Sequence, residues 1–317
     1  ENVLANPGIA FLGKRKMFYG ISGAIILIGI ISLFARGLNY GVDFTGGRSY
    51  IVRFEQPVAV EDIAQSLGDQ FVDKNNLRQV PEVKTFGASN QVKITTKYMI
   101  EETENDVETL VQDKLYAGLT PFLAGQSQAE FLEELTSQKV EPTIADDIKQ
   151  SAVWAVLFSL IVIFLYILIR FRKWQYSVGA LIAMTHDVLV VLAVFSMLYG
   201  FLPFSLEIDQ AFIAAILTVV GYSINDTVVV FDRIREYFNL HPKHKEEELV
   251  NSALNSTLSR TLNTSVSTFL VLLTIFIFGG EVIRGFVFAL MVGVVVGTYS
   301  SLYIASPTMF DLSKKKA

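Results

Sequence analysis

Three positions place charge inside long apolar runs of this 317-residue chain. An ionised side chain at such a depth is costly and is kept for a use. Asp226 stands in GYSINDTVVVF, Asp187 follows His186 in THDVLVVL, and Arg260 stands in LSRTLNTSVST. A carboxyl group there has two stable conditions: protonated and neutral, or ionised beside a cation such as Arg260. Switching between them changes which helix packing is preferred, which is how a proton flux could drive motion.

Spacing groups the neighbours of these residues. Tyr222, Ser223, Asp226 and Arg233 recur at three-, four- and seven-residue steps and share one helix face. Ser256, Thr257, Arg260, Asn263, Thr264 and Ser267 do the same. Two polar stripes on adjacent antiparallel helices are expected to face each other or a wet crevice, because lipid leaves such groups unsatisfied. Asn225 lies beside Asp226 as a further supporting group. Each assignment has a plainer alternative. Arg260 as an interfacial cation would extend to water, Asp226 could serve a structural ion pair, and His186–Asp187 could be a buried structural pair rather than part of a proton path.

The elements that must hold these residues are visible in the hydropathy. Residues are 51% hydrophobic and cluster into blocks of about 20, the length needed to cross a hydrocarbon core of ~30 Å. Six blocks qualify: Met17–Ala35, Ser151–Ile169, Trp174–Leu198, Ala211–Phe231, Arg260–Phe278 and Gly285–Ala305. The fifth opens on Arg260. Lys14–Lys16, Arg170–Lys173, Arg233 to Lys245 and Lys314–Lys316 are separated by even numbers of crossings. They therefore share one side, cytoplasmic by the positive-inside rule; Arg36 is the lone exception. The layout expected is a cytoplasmic segment 1–16, a first helix over 17–36, an extracytoplasmic domain and connector over 37–149, helices two to six over 150–306 with a cytoplasmic loop at about 232–259, and a basic cytoplasmic tail over 307–317.

The acid-rich stretch 37–149 reads as a soluble α+β domain. Ser49–Phe54 alternates like a strand, Val60–Val72 has helical spacing, Val80–Phe86 and Gln91–Thr96 read as strands joined by GASN, and Glu102–Leu119 reads as a helix. Strand–helix–strand–strand–helix fits a ferredoxin-like unit. Residues 121–150 read as a polar connector. Just after the first helix, Asp43, Gly46 and Gly47 lie in GVDFTGG, where glycines allow a tight turn. Gly285, Ala289, Gly293 and Gly297 recur every four residues and make a narrow seam for close helix packing.

Several function classes are excluded. There are no cysteines and only three histidines, too few and too scattered for a metal centre. GVDFTGG is no phosphate loop, since no lysine or helix start follows at the required place. No cofactor, nucleic-acid partner or enzymatic activity is expected; protons are the coupling ion that these carboxyl groups could carry. The opening ENVLANPGIA is no signal peptide, and the chain is expected to continue upstream, as the back half of a longer fusion.

GVDFTGG, THDVLVVL, GYSINDTVVVFDRIRE, LSRTLNTSVST, and FGG followed by IRGFVFAL and GTYSSLYIASP occur in that order. Together they resemble the SecD/SecF protein-export family, on its SecF side, over nearly the whole chain; Glu141 departs where a small residue is usual. The resemblance implies a relation to the RND transporters and one half of a pseudo-symmetric twelve-helix assembly in a bacterial inner membrane, with SecD, fused or separate, as the other half. It implies the SecYEG translocon with SecA, YajC and YidC, membrane lipids and unfolded preprotein as partners, and proton-motive force as the energy source. Asp226 matches the family's proton-coupling aspartate, Arg260 its partner arginine and Asp43 the acid of the first signature. The competing expectations are half of an RND-type small-molecule or lipid transporter, and a translocon scaffold that moves no protons.

Overall fold

Runs of Ile, Leu, Val and Phe long enough to span a bilayer satisfy their backbone polar groups internally only as helices. Six helices of that length and composition form among the described residues. The computed structural model describes residues 7–73, 76–102 and 106–314. Residues 1–6 of the expected N-terminal segment, 103–105 of the expected helix over 102–119, and Lys315 and Lys316 of the basic tail lie outside them.

The membrane helices are α1 (Arg15–Ala35), α6 (Pro142–Phe171), α7 (Trp174–Leu198), α8 (Gln210–Leu240), α9 (Glu246–Phe278) and α10 (Glu281–Ser300). A π-helical turn, Ser301–Ala305, continues α10 into α11 (Ser306–Lys314). Three helices overrun their apolar blocks, because a helix need not stop where hydrocarbon stops. α8 continues to Leu240, and α9 begins at Glu246, where Glu246, Glu247 and Glu248 in the first turn complement the helix dipole. Arg260 is therefore interior to α9 and does not open it. α6 starts at Pro142, inside the expected connector.

These helices form one compact unit, made of residues 1–39, 153–199 and 211–317. Its core gathers Phe171, Tyr176, Phe231, Leu254, Ile304 and Phe310. α7 is the central helix, with Ala180, Ala183, Met184, His186, Asp187 and Val191 all buried. Charge pairs gather cation-bearing helix ends: Arg15 with Asp311, Arg170 and Arg235 with Asp232, and Lys314 with Glu247. Arg36 is held differently, donating to the carbonyls of Met197 and Tyr199 at the end of α7.

Residues 40–152 and 200–210 form the second unit. A single helical turn, α2 (Val42–Thr45), precedes β1 (Gly47–Arg53), α3 (Val60–Gln70), β2 (Glu82–Phe86), β3 (Ala88–Thr96), α4 (Val107–Leu119), α5 (Gln128–Glu134) and β4 (Thr136–Val140). The sheet is antiparallel in the order β2-β3-β1-β4. α3 and α4 bury Ile63, Leu67, Val111 and Leu115 against Tyr50, Val52 and Ile94 of the sheet. The connector expected over 121–150 is instead largely α5, β4 and the first turns of α6. β4 escaped notice because four of its five residues are exposed, so it lacks the alternation of a half-buried strand.

Candidate functional site

Asp226 is 4% exposed on the face of α8 that also buries Ser223 and Thr227. Its Oδ2 accepts a long hydrogen bond from Ser265 Oγ at 3.5 Å. Ser265 is 2.6 Å from Thr298 Oγ1 of α10 and accepts from the Tyr222 hydroxyl at 3.3 Å. The face of α9 that meets Asp226 carries Thr257, Thr261 and Ser265, all buried. The expected stripe is rotated away: Arg260, Asn263, Thr264 and Ser267 are exposed, as is Asn225 on α8. The two expected stripes therefore meet only in part, through Arg233, whose Nε donates to Ser256 Oγ at 3.0 Å. Arg260 forms no ion pair with Asp226.

The second carboxylate is more fully enclosed. Asp187 is wholly buried and His186 is 6% exposed. Asp187 Oδ2 accepts from Ser223 Oγ of α8 at 2.6 Å and from Ser300 Oγ of α10 at 2.7 Å. Its Oδ1 lies 2.9 Å from His186 Nδ1. His186 Nε2 lies 3.1 Å from Ser22 Oγ of α1, which lies 2.8 Å from the Tyr299 hydroxyl. Ser223, expected beside Asp226, therefore serves Asp187.

One stretch, from the last turn of α10 into the π-helical turn, joins these groups. Thr298 meets Ser265 of α9, Tyr299 meets Ser22 of α1, Ser300 meets Asp187 of α7, and Ser301 meets Thr227 of α8 at 3.0 Å. The π-helical turn starts at Ser301, a device common at functional sites. Ser22, Ser265, Thr298 and Ser300 were missed by sequence reasoning, since lone hydroxyls occur throughout membrane helices. The run of four polar residues inside an apolar block was the available signal.

The small residues allow these approaches. A Cβ on Gly293 would collide with Val219 of α8, and one on Gly297 would lie 3.2 Å from Ser223 Cβ. Ala289 is fully buried, whereas Gly285 is only half-buried.

The signature turn belongs to the second unit. Gly46 and Gly47 have φ of 67° and 136°, unfavourable for residues with a side chain. A Cβ would lie 3.0 Å from Pro142 Cα at Gly46 and 3.0 Å from Thr96 O at Gly47. Asp43, 8% exposed, accepts from Gln138 Nε2 of β4 at 2.7 Å and from the Gln210 backbone N–H at 3.0 Å. Among the described residues no group of histidines and acids could hold a metal ion.

Six membrane-length helices around sealed carboxyl groups, with an α/β domain after the first, define a polytopic membrane protein with an ionisable interior. Residues 124–315 match the model of the protein export membrane protein SecD/SecF C-terminal region, and residues 31–58 match the SecD/SecF GG motif. The chain belongs to the SecD/SecF family of protein export membrane proteins. It is 44% identical to the protein translocase subunit SecF of Rhodothermus marinus over 99% of this chain and 96% of that one. It is 36% identical to that of Petrotoga mobilis over 98% of each. The crystal structure of SecDF from Thermus thermophilus, a translocon-associated membrane protein, superposes with a TM-score of 0.79 at 33% identity, covering 98% of this chain. A super-membrane-facing form of SecDF gives a TM-score of 0.66. The chain spans about two fifths of each SecDF polypeptide, 39% and 40%.

Proposed function

We propose that this chain is a subunit of a SecDF-type export complex that uses the proton-motive force to assist preprotein translocation after SecYEG and SecA, with Asp226 as the proton-carrying group. The observation that carries this reading is the setting of Asp226. It is a carboxyl group at membrane depth, buried, held by one long hydroxyl bond, and without an ion pair among the described residues. A group so weakly committed to its charged form can gain and lose a proton where a clamped ion pair cannot. Arg260 is the cation that a rearranged α9 would bring to it.

One elementary charge crossing ~150 mV releases about 3.5 kcal/mol. That free energy biases a two-state movement several-hundred-fold at ~1.4 kcal/mol per factor of ten, with no nucleotide required.

The missing half is a SecD-type partner, fused or separate. Its docking face is the exposed polar side of this bundle: Arg260, Asn263, Thr264 and Ser267 on α9, and Thr218, Gly221 and Asn225 on α8. Thr218, Thr264 and Ser267 donate to carbonyls of their own helices, but lipid cannot satisfy Arg260, Asn263 and Asn225, and small residues admit a close second helix. SecYEG, YajC and YidC are further partners in the inner membrane. The cation-rich helix ends lie on the cytoplasmic side by the positive-inside rule, which puts both termini inside and the α/β domain outside. The strand order β2-β3-β1-β4 with two helices on one face supports a ferredoxin-like domain there.

The test is Asp226→Asn in the assembled complex. The variant is expected to insert and assemble normally while its contribution to export is lost. Export at the wild-type rate would overturn the reading.

A further inference from the structure

The hydroxyls around Asp187 constrain where its proton can be. Ser223 and Ser300 each have one hydroxyl proton, and both hydroxyls lie within 2.7 Å of Asp187 Oδ2. Ser300 Oγ also lies 3.1 Å from the Gly297 carbonyl, but a proton on Oδ1, the atom facing His186 Nδ1, is the one that leaves both serine bonds to Oδ2 in place. From there a single file of bonds runs from Nε2 to Ser22 Oγ and on to the Tyr299 hydroxyl, which also lies 3.2 Å from the Phe18 carbonyl.

This file has two complete settings on the same heavy atoms. In the first, Tyr299 donates to the Phe18 carbonyl, Ser22 donates to Tyr299, Nε2–H donates to Ser22, and one proton lies between Nδ1 and Oδ1. The histidine and aspartate together are then neutral. In the second, Tyr299 donates to Ser22, Ser22 donates to Nε2, and Nδ1–H donates to an ionised Asp187, for a net charge of −1. The settings differ by one proton and by the direction of the hydroxyl bonds. A proton accepted by the Tyr299 oxygen displaces the phenol proton to Ser22, whose own proton passes to Nε2. That hop converts the second setting into the first, and every atom is accounted for.

The outer end of the file is also placed to exchange. Tyr299, Thr298 and Ser265 line one otherwise apolar groove of about 590 Å³ between α9 and α10. Ser265 is the residue that donates to Asp226. Around the pair, α1 presents Ser22, α8 presents Ser223, and α10 presents Ser300 and Tyr299. Tyr299 is the titratable group among them, with Tyr303 stacked on its ring at 5.5 Å. No lysine or arginine among the described residues bonds to either member.

We infer that His186 and Asp187 form a second proton-holding site, loaded through Ser22 and Tyr299 from the groove whose lining includes Ser265, the hydrogen-bond donor to Asp226. This deepens the proton-coupled reading and rests on it for purpose, but it can fail separately. A purely structural clamp would use the same bonds without exchanging protons.

The test is proton uptake by the full complex in detergent after a pH jump, which requires no export. The Asp226→Asn variant is expected to take up one proton per chain more than Asp226→Asn/Asp187→Asn. Ser22→Ala, which leaves Asp187 all three of its partners, is expected to keep the total and slow uptake about a hundredfold or more, the lower end of the range for a lost proton-transfer group. Equal uptake by the single and double variants, or an unchanged rate in Ser22→Ala, would overturn the inference. Export by Asp226→Asn bears only on the function proposed above.

Discussion

Asp43 Oδ2 accepts the backbone N–H of Gln210 at 3.0 Å, so the carboxylate of the GVDFTGG turn caps the helix that carries Asp226. The contact lies within the unit formed by residues 40–152 and 200–210, and α8 runs on from it without a break. The N-terminal amides of a helix lack internal partners, and a carboxylate there satisfies one and complements the dipole. Asp43→Ala is expected to destabilise the protein by ~1–2 kcal/mol, the range for a lost cap. Asp43→Asn retains an acceptor and should recover more than half of that. Thermal unfolding, with hydrogen exchange at Gln210, measures both.

The close approach of α10 to α8 depends on one missing side chain. A Cβ at Gly293 would collide with Val219, and overfilling a packed interface costs ~1–3 kcal/mol. Gly293→Val should lower the melting temperature of the isolated chain. A Cβ at Gly221, on the exposed side of α8, would meet nothing within 4 Å. Gly221→Leu should therefore leave that melting temperature unchanged while weakening association with a SecD half. Comparison of the two variants by melting and by co-purification separates internal packing from docking.

The contrast between these glycines shows what periodicity can and cannot reveal. Six spans were legible because crossing a bilayer imposes length and apolar composition together. The starts of α6 and α9 were not, since helices extend into water wherever local propensity and packing favour them. Asp187 and Asp226 stood out because charge is rare in such surroundings. Their partners did not, because Ser and Thr are ordinary there. Arg260, Asn263, Thr264 and Ser267 do share a face, but spacing cannot say which neighbour that face meets. The inward face of α9 is the one bearing Ser265, a single position from Thr264.

Inside the α/β domain, Arg48 is fully buried and pairs with Glu108 at 3.1 Å, while its Nη1 donates to the Tyr98 carbonyl at 2.6 Å. Its Nη2 is buried without a partner among the described residues, so Glu108 is the charge that balances it. Removing one member of a fully buried pair costs ~3–5 kcal/mol. The Glu108 side chain is 39% exposed, which lowers the expectation for Glu108→Ala to ~2 kcal/mol. Tyr50 shares this carboxylate at 3.3 Å. Burial first, and then the charge of Glu108, raises its phenol well above the ordinary value of 10.0. A raised folded-state value means that its contribution to stability is intact below pH 10 and declines as pH rises further. Glu108→Gln should lower the Tyr50 transition without returning it to the free value, because burial remains. Ultraviolet titration against Tyr50→Phe checks this.

The strap before α8 offers a cleaner energetic test. Lys93 of β3 pairs with Glu207, one residue before the Tyr40–Ile208 bridge, and the Gly41 N–H donates to the Ile208 carbonyl at 2.9 Å. The two side chains are only 19% and 16% exposed, so each desolvates the other's surroundings and neither charge has ready access to water. Lys93→Met alone leaves a shielded carboxylate, and Glu207→Gln alone leaves a shielded ammonium. The two single costs are expected to sum to more than the cost of the double replacement, because the double variant removes both charges from the same enclosed site. A double-mutant cycle should give a coupling of ~1–3 kcal/mol. Raising salt should change that coupling little, since screening acts weakly on enclosed pairs. Additive single effects, or a coupling that vanishes at high salt, would mean that the pair behaves as an ordinary surface contact and does not hold the strap to the sheet.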